Sequence, residues 1–131
     1  MLTIFEKILL GHLVGDYLIQ SKKMALAKSA KGINGLMWCL AHCGLYTLTI
    51  CLFTATSDFP KIILIFMSHF LIDRWSLAST WLKIIKGRDF ISAYKSTAKY
   101  HEIDLSFSTV VYAVVDNTIH ILLMSAIFNY L

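Results

Sequence analysis

An all-α, polytopic membrane protein is the fold class the sequence predicts: a four-transmembrane-helix bundle, with an interfacial amphipathic helix between helices 3 and 4. Three observations predict it. Hydrophobic residues make up 57% of the 131 and charged residues only 15%, against about 25% charged in an ordinary soluble domain. The mean hydropathy is +0.66, and the apolar residues are gathered into four runs long enough for a bilayer to be their solvent. The lysines and arginines crowd into two of the connecting segments, as they do in cytoplasmic loops. The net charge of +4 is therefore read as membrane topology, and no nucleic-acid partner is expected. A chain of this length is expected to form a single transmembrane domain.

The first helix is expected over 2–20. Gly11 and Gly15 form a small-x-x-x-small pair that lets another helix approach closely. Ala25-Leu-Ala27 resembles a signal-peptidase site, but the only basic residue before the run is Lys7, beside Glu6, and the run contains His12 and Asp16. A retained helix is expected. The segment 21–34 holds Lys22, Lys23, Lys28 and Lys31 and no acid, which reads as a basic loop.

The second helix is expected over 36–56, with His42 its one strongly polar residue. Cys39, Cys43 and Cys51 all lie in it. An odd number of cysteines inside one apolar run argues against a secreted disulfide framework and for thiols packed among helices. Cys39 and Cys43 flank His42 as weaker candidate ligands. Ser57-Asp-Phe-Pro60 is a tight turn in which Asp58 can cap and Pro60 can open the next helix, making helices two and three antiparallel neighbours.

The third helix is expected over 61–85, emerging past Arg74 with Trp75 and Trp81 at the interface. Between residues 89 and 99 the apolar positions Phe90, Ile91, Tyr94 and Ala98 share one side, the pattern of a helix on the membrane surface. His101 and Glu102 are read as solvated. The fourth helix is expected over 105–131, with Asp116 and His120 near its middle. Placing both basic segments in the cytoplasm puts both termini outside, in a bacterial inner membrane.

Ionisable groups inside these runs give the functional reading. His12, Asp16 and Gln20 are four residues apart and stack on one helical face. His69 and Asp73 repeat the spacing, and Asp116 and His120 mirror it. A carboxylate at bilayer depth costs about 2.5–3.5 kcal/mol on the most lenient scale. Three buried aspartates are therefore either protonated or neutralised by a cation. Neutral histidines and three ionised aspartates total −3; one divalent ion leaves −1 and two leave +1. Mixed imidazole and carboxylate ligands suit Zn, with Mn or Fe as alternatives, in one or two ions. His12, Asp16, His42, His69, Asp73, Asp116 and His120 are the candidate ligands. One of Asp16, Asp73 and Asp116 is the candidate general base. Gln20, Arg74 and Asn117 are candidate substrate-binding groups.

The motifs His12-Leu-Val-Gly-Asp-Tyr-Leu-Ile-Gln20, the isolated His42, Ser68-His-Phe-Leu-Ile-Asp73 and Asp116-Asn-Thr-Ile-His120 resemble the signature of domain-of-unknown-function family 3307, small membrane proteins of bacteria and phages. Tyr17 stands where that signature has Phe, and Asn117 where it has Gln. The family in turn distantly resembles membrane-bound metal-dependent hydrolases. The expected function is a membrane-embedded, metal-dependent hydrolase that takes a lipid or other phosphoester from the cytoplasmic leaflet. The alternatives are a transporter or channel for metal ions or protons, and a non-catalytic regulatory subunit. Membrane lipid is the expected partner, and the aromatic and glycine faces of so small a bundle favour self-association.

Overall fold

In the computed structural model, which describes residues 1–131, the secondary structure is helical and contains no strand. Helix α1 spans Ile4–Leu13 and opens on a capping box. The Glu6 amide donates to Thr3 Oγ1 at 3.2 Å, and the Thr3 amide donates to Glu6 Oε2 at 2.7 Å. The chain then widens into a π-helical segment, Val14–Ile19, and leaves helical geometry at Gln20. Short α2, Lys22–Ala27, is capped by the Ser21 hydroxyl, which accepts from the Met24 amide. Helix α3 runs over Gly32–Thr54 and stops at Ala55, whose backbone is left-handed.

Helix α4, Phe59–Arg74, carries Pro60 in its first turn, where the missing N–H removes no helical hydrogen bond. Asp58 stands at the expected cap, but its side chain makes no capping hydrogen bond and instead faces Lys61 at 3.6 Å. The expected single helix over 61–85 is two helices. Left-handed Ser76 (φ 47°) breaks the run, and α5 follows over Leu77–Lys86. A left-handed residue is the usual way to stop a helix, but here no glycine advertises it. After Gly87 come α6, Phe90–Lys95, and α7, His101–Tyr130.

By length and composition, two helices can cross a membrane, Gly32–Thr54 and His101–Tyr130, or three if Phe59–Arg74 and Leu77–Lys86 count as one bent span. By this measure the first of the four expected runs is not counted, since it has ten α-helical and six π-helical residues. Together these fall short of the roughly 17–25 residues that cover the hydrocarbon core. The expected surface helix over 89–99 is helical only as far as Lys95; Ile91 and Tyr94 on it are exposed.

The contacts divide the chain into two units, residues 1–75 with 120–131, and residues 76–119. In the first, Ile8, Tyr46, Ile50, Ile65, Met124 and Ile127 form an apolar core. Gly11 and Gly15 let α1 and the π segment lie directly on α3. A Cβ at Gly11 would meet Ile50 and Phe53 at 3.2 Å, and one at Gly15 would press on the Tyr46 ring at 2.9 Å. Gly35 makes room in the same way for the carbonyl of Ala30, which a Cβ there would strike. In the second unit, Arg88 Nη1 donates to Asp104 Oδ1 at 2.9 Å and to Ser108 Oγ at 3.0 Å. Phe90 packs edge-on against Tyr112. Lys83 and the Ile91 amide hold Asp89 below the ordinary carboxylate range.

Burial inverts the usual order of a soluble domain. Large aliphatic side chains such as Leu48, Leu52 and Leu122 are exposed, while His12, His69 and His120 have no exposed surface and His42 and Asp73 almost none. A water-soluble fold almost never fully buries a carboxylate unless it is paired, and histidine is only intermediate in its tendency to be buried.

Candidate metal centre

Each element of the first unit brings one or two polar groups inward. Helix α1 contributes His12, the π segment Asp16, α3 His42 and Tyr46, α4 His69 and Asp73, and the last part of α7 His120. The π turn is wider than an α turn, and Asp16 on it faces two ways. Its Oδ2 lies 3.4 Å from His12 Nδ1, and its Oδ1 lies 3.1 Å from His42 Nε2 and 3.6 Å from His69 Nε2. Gln20 does not continue the helical stack with His12 and Asp16, because it sits beyond the helix in extended backbone. Its amide Nε2 nevertheless reaches His42 Nε2 at 2.8 Å.

His42 Nε2 is the most crowded atom of the set. Besides Gln20, it has His69 Nε2 at 2.9 Å and Asp16 Oδ1 and Asp73 Oδ2 each at 3.1 Å. An imidazole nitrogen offers either one hydrogen or one lone pair, so it can satisfy one of these neighbours and not four. Asp73 Oδ2 also lies 3.2 Å from His69 Nε2. Although these separations are short, the buried Asp16 Oδ1 and Asp73 Oδ2 make no hydrogen bond of acceptable geometry. Electronegative atoms crowded more closely than one imidazole nitrogen can pair are an arrangement that donors around a cation also show. Metal–ligand bonds of about 2.0–2.2 Å give edges of about 2.8–3.1 Å in an octahedron and about 3.3–3.6 Å in a tetrahedron. The separations here, from 2.9 to 3.6 Å, fit such edges.

Three overlapping triads have donor atoms within 4.8 Å of one another: His12, Asp16 and His120; Asp16, His42 and His69; and His69, Asp73 and His120. Six of the seven candidate ligands therefore converge. The seventh, Asp116, is in none of these triads; it is half-buried one turn before His120 and belongs to the second unit. Cys39 and Cys43 are also outside the triads, with their sulfurs 3.9 Å apart. Asn117 Nδ2 donates to the Ala113 carbonyl of its own helix at 2.6 Å. Arg74 Nη1 donates to the Ala30 carbonyl at 2.6 Å.

Two participants are not singled out by the sequence, although Tyr46 lies one turn from His42 and Lys28 is one of the basic-loop lysines that could hold an anionic headgroup. Lys28, at the end of α2, places Nζ 2.9 Å from Asp73 Oδ2, with only 14% of its side chain exposed. A faint signal exists: Lys28 is four residues after Met24, the buried residue of α2, and so shares its inward face. Tyr46 is fully buried, stacks on His69 with ring centroids 3.6 Å apart, and sets its hydroxyl 3.1 Å from His12 Nδ1. One tyrosine thus positions two of the imidazoles. Of the six convergent candidate ligands Asp16 is the most exposed, with 8% of its side chain accessible, beside half-buried Gln20.

No curated protein and no solved structure matches the chain. A family model described as "Protein of unknown function (DUF3307)" matches residues 4–131, so the chain belongs to that family.

Proposed function

We propose that the chain is a membrane-embedded, metal-dependent hydrolase that takes a lipid or other phosphoester from the cytoplasmic leaflet. The observation that carries this reading is the crowding at His42 Nε2, where two carboxylate oxygens and a second imidazole nitrogen come within 3.1 Å. The donor set is nitrogen and oxygen, which favours Zn, Mn or Fe. A divalent ion held there supplies Lewis-acid polarisation of the scissile group and a water of lowered pKa.

The chain's own residues divide the remaining tasks. His12, His42, His69 and His120 hold the centre, and Tyr46 fixes the rings of His69 and His12. Asp16 and Asp73 complete the ligand set, and Asp16, the most exposed of the six, stands beside the place an entering water would take. Lys28, the one cationic side chain that reaches Asp73, is placed to meet a phosphoryl oxygen.

Membrane insertion is supported by the exposed aliphatic faces and buried polar centre. In this reading the runs 2–20, 36–56, 61–85 and 105–131 form four crossings. Residues 22–31 and 83–99 lie on the cytoplasmic side, with both termini outside and a bacterial inner membrane as the host.

The test is metal content and turnover of full-length protein purified in detergent without chelator. We expect bound Zn, Mn or Fe, and metal-dependent hydrolysis of a phospholipid or lipid phosphate in mixed micelles, both lost in Asp16→Asn. No bound metal in any preparation would leave the cluster a packing device. Bound metal without turnover, accompanied by metal uptake into sealed vesicles, would replace the hydrolase with a transporter.

A further inference from the structure

Both carboxylates of the centre face two ways, toward the same two pairs of histidines. Asp16 turns Oδ1 to His42 and His69, at 3.1 and 3.6 Å, and Oδ2 to His12 at 3.4 Å. Asp73 turns Oδ2 to His42 and His69, at 3.1 and 3.2 Å, and Oδ1 to His120 at 4.0 Å. His42 and His69 make one pair, with ring centroids 4.9 Å apart, and His12 stacks on His120 at 5.2 Å to make the other. A carboxylate serving a single ion aims one or both oxygens at one point. Here the two oxygens of each carboxylate diverge to separate imidazole pairs.

From this we infer that the centre is dinuclear: one divalent first-row metal ion at His42 and His69, a second at His12 and His120, with Asp16 and Asp73 bridging. The inference rests on the metal centre proposed above and adds the number of ions and the role of each carboxylate. The two halves adjoin, since the His69 and His120 ring centroids are 4.5 Å apart, and bridged ions in two-metal sites lie about 3.5–4 Å apart. Charge is also suitable. Two divalent ions and the Lys28 ammonium against two aspartates and four neutral histidines leave the centre at +3, which favours a doubly charged phosphomonoester over a neutral ester.

The experiment loads the full-length chain in detergent with Mn(II), counts bound Mn, and records the electron paramagnetic resonance spectrum. Two Mn per chain with an exchange-coupled spectrum are expected. His12→Ala should drop the count to one and restore the hyperfine sextet of an isolated Mn(II) ion. His42→Ala should do the same by emptying the other half. His120→Gln, a milder change, guards against a variant that fails for lack of folding, and circular dichroism checks all three. One Mn per wild-type chain with an isolated-ion sextet overturns the dinuclear assignment and leaves the metal centre standing. No Mn bound overturns both.

Discussion

Lys28 Nζ and Asp73 Oδ2 lie 2.9 Å apart, and that same oxygen faces His42 and His69. The ammonium group therefore stands where a metal ion would draw on Asp73, and the two cations compete for one acceptor. Breaking a buried ion pair leaves the surviving charge uncompensated, typically at about 3–5 kcal/mol. Lys28→Met should lower the thermal stability of metal-free protein and raise affinity for Mn(II) or Zn(II) by about tenfold. Chelator competition and thermal melts with and without metal check both signs. Weaker metal binding in the variant would mean that Lys28 orients Asp73 rather than competing for it.

Gly15 on the π segment lies against Tyr46, where a Cβ would come within 2.9 Å of the ring. Tyr46 in turn stacks on His69 and reaches His12 with its hydroxyl. Gly15→Ala should displace that ring and weaken metal binding by about 10–100-fold, the usual effect of disturbing groups that orient ligands. Gly44, on the same α3 helix, has nothing within 4 Å of its would-be Cβ. Gly44→Ala should leave metal binding unchanged and add up to about 1 kcal/mol of helix stability. Calorimetric titration with metal, together with melting of both variants, separates the two positions.

How much of this was legible in the sequence depends on the range of the interaction. The pairs His12 with Asp16 and His69 with Asp73 are local, and a helical period alone brings each into contact. His42 could be singled out because it is a lone polar residue in an apolar run. Lys28 and Tyr46 could not, because their roles arise only when α2 and α1 dock on α3 and α4; by composition one is a loop lysine and the other a core aromatic. Ser76 breaks the third run through a left-handed backbone that its residue type does not announce. The π segment left no mark in the apolar period, so the expected stack running from His12 to Gln20 ended one turn early.

Cys39 and Cys43 touch each other and join none of the metal triads. Both side chains are fully buried, so they act as small apolar groups packed between helices. The double variant Cys39→Ala, Cys43→Ala should retain the full wild-type metal content while losing about 1–3 kcal/mol of stability to the vacated volume. Metal analysis after gel filtration checks the first part and thermal melting the second. Loss of metal from a variant that remains folded would bring a sulfur ligand into the centre.

Arg74 follows Asp73 directly, yet its guanidinium reaches the Ala30 carbonyl at 2.6 Å. That carbonyl belongs to the turn that Gly35 admits against α3, and the same turn carries Lys28 to Asp73. Arg74 is thus a tie between the end of α4 and the segment that delivers the lysine. Arg74→Gln should cost about 0.5–1 kcal/mol, because this hydrogen bond lies in an exposed position where water screens the charge. It should also speed hydrogen exchange at the amides of residues 28–33 while leaving those of α3 protected. Because the tie acts through Lys28, metal affinity should shift in the same direction as in Lys28→Met, by a smaller factor. Unchanged exchange at 28–33 combined with weakened phosphate-ester binding would return Arg74 to a direct role in holding substrate.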